Sequence, residues 1–387
     1  MKRQGMNMER VKHQNRALIL GYINDNGPVS RKDIALATGL TPASLTQISN
    51  QLISEGLLVE LGTSDHPVGV VGRKKVLLDI DAAAFLVYTI NIEPGTTTVA
   101  VCDLKGRLVK GSSGAGLEKA VYTDRSMEPE AFLRSCADVC RSLGAELPDV
   151  VRSRIASVSV GVTGLVDLQN GVSVHAYGVW KKRVDIRKVL TEELGLEVII
   201  ENNVDALAQA ELLFGEGRKK DNLLIIKWGP GVGSTIVTDG KIYKGRQGKT
   251  AELGHFIVKK NGRQCSCGRC GCLETEVSYY ALREKLEFTL DDLGEKYKNA
   301  SADVKAYIDS AIDLFARCIV NAGTLIAPNR IVLAGGMFRS TVIREALIKA
   351  CSCYDSAYNE KRIIYTTLHG REGYVGPAAV YASKKLC

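Results

Sequence analysis

Three cysteines, Cys265, Cys267 and Cys272, fall within eight residues among glycines, and His255 lies ten positions before the first of them. Three thiolates and one imidazole complete a closed tetrahedral shell for zinc, the donor set of a structural ion. Gly268 and Gly271 let the backbone wrap tightly enough for the sulfurs to converge. Cys270 lies in the same run, and it keeps a thiol–disulfide switch open as a competing reading. Cys102, Cys136, Cys140, Cys318, Cys351, Cys353 and Cys387 stand in apolar or terminal contexts and read as core or incidental thiols.

The chain that must position this loop has 387 residues, enough for two to three domains at roughly 150 residues each. It is 45% apolar and 24% charged, with 38 Gly against 9 Pro, which excludes collagen-like, mucin-like and wholly disordered classes. No run of ~18 apolar residues predicts a membrane span, and Met1-Lys2-Arg3-Gln4-Gly5 lacks the apolar core of a signal peptide. Eleven cysteines without an export signal are then expected to be reduced thiols or metal ligands, which predicts a cytoplasmic protein. The net charge of +8 is compatible with a polyanionic partner.

Half of that excess sits in residues 1–78, where ten basic residues face six acidic ones. Residues 15–23 read as a helix ended by Asn26-Gly27-Pro28. Ser30-Arg31-Lys32-Asp33 is a capping-box variant opening a second helix, and Gly39-Leu40 supplies a turn. Thr41-Pro42 opens a third helix, with Leu45, Ile48 and Leu52 inward and Ser44, Thr46, Gln47 and Asn50 outward. Two short strands follow, at residues 57–61 and 75–78, with a basic loop between them. The pattern predicts a winged helix-turn-helix that binds DNA. Phosphate contacts are expected from Lys32, Arg73 and Lys74, and base-edge contacts from Ser44, Thr46, Gln47 or Asn50. The bland alternative is a helical protein-interaction domain with a solvated basic loop.

Beyond Asp79 the composition changes to α/β, with short apolar strands that end in glycines. Predicted strands cover residues 85–92, 97–103, 155–162, 198–201, 222–228, 234–238 and 330–335; helices cover 127–143, 204–214 and 301–327. Nearly the whole chain, from Asn15 to about Ala382, resembles the ROK family of repressors and sugar kinases. The residues that carry the resemblance are Gly161-Val162-Thr163-Gly164-Leu165-Val166-Asp167, Glu201-Asn202-Asn203-Val204-Asp205-Ala206, Glu252-Leu253-Gly254-His255 and Cys265-Ser266-Cys267-Gly268-Arg269-Cys270-Gly271-Cys272-Leu273-Glu274. The resemblance implies an actin-like, ribonuclease-H-like sugar-kinase fold of two lobes, preceded by the DNA-binding unit at 1–78. The first lobe is expected at 79–200 with a return segment at 360–387, and the second at 201–359. The family assigns zinc to His255, Cys265, Cys267 and Cys272, and sugar hydroxyls to Glu252, His255, Glu274, Asn202 and Asn203. The bland alternative is that Glu252 and Glu274 only buttress the zinc loop.

Kinases of the family place an Asp as general base where this chain has Asn203, and an amide takes no proton near neutral pH. Asp205 is two residues on, roughly 200° around a helix, so a swap of roles is not expected. The first phosphate loop reads Asn91-Ile92-Glu93-Pro94-Gly95-Thr96: Glu93 adds negative charge and Pro94 removes an amide donor. The expectation is therefore a non-enzymatic sensor, a repressor released from operator DNA by a monosaccharide and working as a homodimer or homotetramer. Tyr177, before Gly178-Val179-Trp180, either narrows the pocket toward a pentose or points elsewhere; xylose is the candidate by resemblance to the family's xylose repressors. The rival readings are an active sugar kinase with an appended DNA-binding domain, and a zinc- or thiol-redox-responsive regulator.

Overall fold

The computed structural model describes residues 8–63, 75–219, 221–245 and 250–386. Its first unit comprises α1 (Met8–Asn26), β1 (Val29–Ser30), α2 (Arg31–Thr38), α3 (Pro42–Ser54), β2 (Leu58–Thr63) and β3 (Val76–Ile80). The strands make an antiparallel sheet in the order β1-β3-β2. Local chemistry sets the boundaries. Ser30 Oγ accepts the Asp33 N–H and donates to the Asp33 carboxylate, closing the box that starts α2. Gly39, at φ 71°, ends that helix in the left-handed conformation. Thr41 caps α3 by accepting the Ser44 N–H, and Pro42 sits in the first turn, where no donor is needed. Leu45, Ile48 and Leu52 are buried in one cluster with Ile19, Leu20, Ile23 and Ile34.

The first lobe runs through β4 (Leu86–Ile92), β5 (Gly95–Cys102), β6 (Glu118–Thr123), α4 (Pro129–Ala145), α5 (Asp149–Arg152) and β7 (Ile155–Val162). A small sheet of β8 (Leu165–Asp167), β9 (Val172–His175) and β10 (Val184–Asp185) follows, then α6 (Ile186–Leu194), β11 (Glu197–Asn202) and α7 (Asn203–Phe214). The main sheet has the order β11-β7-β4-β5-β6, parallel through β11, β7 and β4. β4 is buried throughout because both faces are covered. Leu86, Tyr88, Ile90 and Ile92 pack with α4 and α6, whereas Val87 packs on the side of α7.

The second lobe holds β12 (Leu223–Trp228), β13 (Val232–Thr238), β14 (Lys241–Ile242), α8 (Glu274–Val277), α9 (Tyr279–Arg283), α10 (Leu293–Asn299), α11 (Ala302–Ile326), β15 (Arg330–Ala334), α12 (Thr341–Tyr354) and β16 (Ile363–Tyr365). Its sheet runs β14-β13-β12-β15-β16. The last helix, α13 (Val375–Leu386), returns to pack on α7 and the first sheet. Small residues permit the close approach: a Cβ on Gly376 would lie 3.1 Å from the Ala206 carbonyl carbon.

Two expected boundaries move. β16 pairs with β15, so residues 363–365 belong to the second lobe and not to a return segment beginning at 360. The first lobe also continues past residue 200 to Phe214, because the helix after a parallel strand folds back over its own sheet. The buried cluster of the three-helix unit is continuous with Ala206, Ala210 and Leu213 of α7 and with α13. Among the described residues, no helix is long and apolar enough to cross a membrane.

Candidate functional site

The donor atoms of His255, Cys265, Cys267 and Cys272 lie within 4.8 Å of one another. Cys265 Sγ is 3.6 Å from His255 Nδ1, and Cys267 Sγ is 3.7 Å from Cys272 Sγ. Tetrahedral zinc with Zn–S of ~2.3 Å sets its sulfurs about 3.8 Å apart, so the donor set fits that ion. The glycines serve as the sequence suggests. Gly268 and Gly271 have φ of 90° and 73°, and a Cβ on Gly271 would meet the Lys259 carbonyl oxygen at 1.8 Å. Cys270 is exposed outside the cluster, with its thiol 3.3 Å from Gln264 Oε1. His255 Nε2 lies 3.7 Å from Glu252 Oε2, a carboxylate–imidazole contact of the kind that fixes a ligating ring.

This loop borders a cleft of about 250 Å³ between the lobes, and Asn202, Asn203, Glu252, His255 and Glu274 all line it. The five residues singled out from sequence thus meet in one place, each held at the end of an element. Glu274 starts α8, and its Oε2 accepts the Val232 N–H at 2.9 Å; burial pushes its carboxyl above the ordinary value. Asn202 is the N-cap of α7: its Oδ1 accepts the N–H groups of Val204 and Asp205 at 2.8 and 3.2 Å, and its Nδ2 donates to the Gly164 carbonyl at 2.8 Å. Its amide is thus largely committed to the scaffold. Asn203 opens α7, almost wholly buried, with its backbone behind Gly161.

Two ion-pair networks were not anticipated. Glu93 receives Lys227 Nζ in an ion pair across the lobes, and Asn91 Nδ2 donates to it at 2.8 Å. Burial opposes charge on Glu93, but Lys227 and the amides of Asn91 and Asn203 outweigh it and hold its carboxyl below the ordinary value. Lys244 reaches both Glu201, at 2.7 Å, and Asp205, at 2.8 Å. Burial pushes the Glu201 carboxyl up despite Lys244. Asp205 lines the same cleft as Asn203, against the helical-wheel expectation, because the cleft wraps around the end of α7 and takes in more than one of its sides. Arg125 and Tyr280 stand at the rim. One signal was available: Lys227 interrupts the apolar run Leu223-Leu224-Ile225-Ile226, and a lysine in a central strand demands a buried counter-charge.

Tyr177 points into the cleft, its ring edge-on to His255 with centroids 5.3 Å apart and to His175 at 4.8 Å. Burial, reinforced by the Glu252 charge, pushes its hydroxyl up to about 12, so it stays a neutral donor.

On the first unit, Lys32, Thr46, Gln47 and Asn50 are exposed and Ser44 is half-buried. Arg31 donates to Asn50 Oδ1 at 3.1 Å and to Glu60 at 2.9 Å. Thr46 Oγ1 donates to the Pro42 carbonyl at 2.8 Å, and Ser44 Oγ accepts from Thr41 at 2.9 Å. Arg73 and Lys74 lie outside the described residues.

Two lobes, each on a five-stranded sheet, with a polar cleft between them and a clustered His/Cys loop at its edge, define a protein of the sugar-kinase structural class. The chain belongs to the ROK family, whose model matches residues 101–384. It is 25% identical over 363 residues to the DNA-binding transcriptional dual regulator NagC of Escherichia coli strain K12, covering 89% of this chain and 86% of that protein. It is 27% identical over 279 residues to the xylose repressor of Bacillus subtilis strain 168, covering 72% and 69%. Among solved structures, a ROK family transcriptional regulator described as a homolog of the E. coli MLC protein covers 97% of this chain and 98% of its own, with TM-score 0.75 and 22% identity. The ROK hexokinase of Thermus thermophilus covers 78% of this chain and 99% of its own, with TM-score 0.61 and 21% identity.

Proposed function

We propose that this protein is a sugar-responsive DNA-binding transcriptional regulator, a repressor of carbohydrate-utilisation genes that a monosaccharide releases from its operator. The observation that carries the reading is a join. A unit with a capped, polar-faced α3 packs directly on the lobe whose helix α7 begins in a cleft lined by amides and carboxylates. The unit reads as a winged helix-turn-helix, with α3 entering the major groove. Lys32, Arg73 and Lys74 contact phosphates; Ser44, Thr46, Gln47 and Asn50 face base edges, and Asn50 must first release Arg31. One such module buries too little for tight specific binding, so two copies grip a pseudo-palindromic site.

In the cleft, Glu252, Glu274, Asn203, His255 and the one amide hydrogen left on Asn202 bind hydroxyl groups. His255, Cys265, Cys267 and Cys272 hold zinc, which when bound supplies rigidity to the loop and no reaction chemistry. A kinase needs a free base beside the accepting hydroxyl. Asn203 is an amide, Glu93 is neutralised by Lys227, and Asp205 is held by Lys244, which favours a sensor over an enzyme. Tyr177 against His255 narrows the cleft, in keeping with a small sugar.

The test uses zinc-loaded protein and a DNA duplex selected from a random pool, read by fluorescence anisotropy with D-xylose, N-acetyl-D-glucosamine and their phosphates. One sugar is expected to weaken DNA binding by about 10-fold or more, a coupling of ~1.4 kcal/mol. Unchanged DNA affinity with every sugar refutes the sensor. Release of ADP from ATP and sugar at about 1 per second or faster, the ordinary enzymatic range, establishes the kinase instead.

A further inference from the structure

The chain crosses from the second lobe to the first through residues 366–374, between β16 and α13. This crossing is tied to both lobes. The Thr366 N–H donates to the Leu333 carbonyl of β15 at 3.0 Å, the Thr366 hydroxyl donates to Glu211 of α7, and His369 Nε2 lies 3.4 Å from Arg344 of α12. Arg371 follows Gly370, whose φ of 73° turns the chain. Its Nη2 donates to the Gly106 and Lys105 carbonyls of the first lobe at 2.5 and 3.3 Å. The turn that carries those carbonyls is well braced. Asp103 Oδ1 accepts the N–H groups of Lys105 and Arg107, both at 2.9 Å, and a Cβ on Gly106 would meet the Phe214 ring at 2.8 Å. The same turn sends Lys105 Nζ to both carboxylate oxygens of Asp79, at 3.0 and 2.8 Å. Asp79 belongs to β3 of the first unit, and its side chain is 15% exposed. A Cβ on Gly27, just past α1, would lie 2.8 Å from Asp79 Oδ1, so the carboxylate is wedged against the end of that helix.

Apolar burial against α7 and α13 holds the first unit on the body, but burial is non-directional and lets packed surfaces slide. Charge-assisted bonds shared between two acceptors fix an angle as well as a distance. We propose that Arg371 and Lys105 are positioning residues for the sugar response: Arg371, the turn at 103–107, Lys105 and Asp79 form a strut through which the lobe-crossing segment sets the angle of the first unit. The proposal rests on the sugar-sensor reading above. Because the crossing is bound to β15 and α12, a change in lobe angle pulls on Arg371, and the braced turn hands the displacement to β3. None of Asp79, Lys105 and Arg371 lines the cleft or belongs to α3, so breaking the strut acts on the link between two sites and on neither site itself.

The experiment uses full-length protein purified with zinc and compares native protein with Lys105→Met, Arg371→Lys and the double variant. Lys105→Met keeps the length of the side chain without its charge, and Arg371→Lys keeps the charge without the planar fork. Fluorescence anisotropy of the selected duplex is read with and without the sugar that releases the native protein, and calorimetric titration gives the sugar affinity. Each single variant is expected to hold its sugar affinity within about 2-fold of native while the sugar-induced change in DNA affinity falls from about 10-fold to under about 3-fold. The double variant should lose no more than the worse single one, because both changes break one path. Native-size release in either single variant overturns the strut, even where the melting temperature falls. A double loss equal to the product of the single ones overturns it too, as does a fall in sugar affinity large enough to account for the lost release. If no sugar alters the DNA affinity of the native protein, the sensor reading fails, and hydrogen exchange of the backbone amides at 76–82 decides the strut alone. Arg371→Lys is then expected to speed exchange there when Lys105 is present and to change nothing in the Lys105→Met background; equal acceleration in both backgrounds overturns it.

Discussion

Glu211 is fully buried on α7, accepting from the Thr366 hydroxyl and from the Glu216 N–H at 2.9 Å. Burial pushes its carboxyl above the ordinary value, and the two donors do not fully compensate. The native state therefore holds this proton to a higher pH than the unfolded chain does, whose carboxylate titrates near ~4.3. Stability contributed by the protonated form is present below the unfolded value and is lost as pH rises through the folded one. Glu211→Gln removes that titration. The stability difference between variant and native protein is expected to move in the variant's favour from pH 5 upward and then level off, by about 1.4 kcal/mol for each unit of upward shift. Denaturant melts at several pH values check it, and a difference independent of pH refutes the assignment. Glu93 shows the opposite sign. Lys227 and two amides outweigh its burial, so its contribution is present at neutral pH and fades only in acid.

α7 links the cleft to the first unit. It has 12 residues, about 18 Å of helix; Asn203 opens it in the cleft, and near its far end the Leu213 carbonyl accepts Asn24 Nδ2 of α1 at 2.8 Å. Asn24→Ala removes that bond and leaves both binding surfaces intact. It is expected to preserve sugar affinity and sugar-free DNA affinity while cutting the sugar-induced change in DNA affinity about 5-fold, the worth of one hydrogen bond near 1 kcal/mol. Unaltered release by sugar sinks this route. The helix was expected at 204–214, within one residue of its observed start at Asn203, where Asn202 proves to be the cap. Its landing on α1 was not, since Asn24 and Leu213 are 189 residues apart and neither carries a local sign of the other. The same division holds in the site. The His/Cys cluster announces itself by spacing, whereas Glu93 reads as a misplaced charge until Lys227, 134 residues on, is folded against it. Asp205 was misplaced for a different reason: periodicity gives direction around an axis but says nothing of a cleft that wraps around the helix end.

Across the whole molecule, two ligands act on one body. The first unit shares its buried cluster with α7 and α13, and two lysines of the second lobe, Lys227 and Lys244, reach carboxylates of the first lobe. Opening the lobes would strip buried carboxylates of their counter-charges, so intermediate angles are unfavourable and the body is expected to prefer discrete arrangements. A sugar biases that choice only by its differential affinity for the arrangements, and DNA biases it through the same helices. Linkage then fixes a quantity that no single-ligand measurement contains. Whatever factor separates the DNA dissociation constants with and without saturating sugar must also separate the sugar dissociation constants with and without saturating DNA. Calorimetric titration of sugar into the free protein and into the preformed protein–DNA complex, at one salt concentration, measures the second factor; anisotropy measures the first. Equal factors identify one coupled body in which the cleft and α3 read the same equilibrium. A sugar that dislodges DNA yet binds the complex as tightly as the free protein would mean that release runs through a separate event, such as dissociation of protomers, and dilution of the protein would then change the apparent release while leaving sugar affinity untouched.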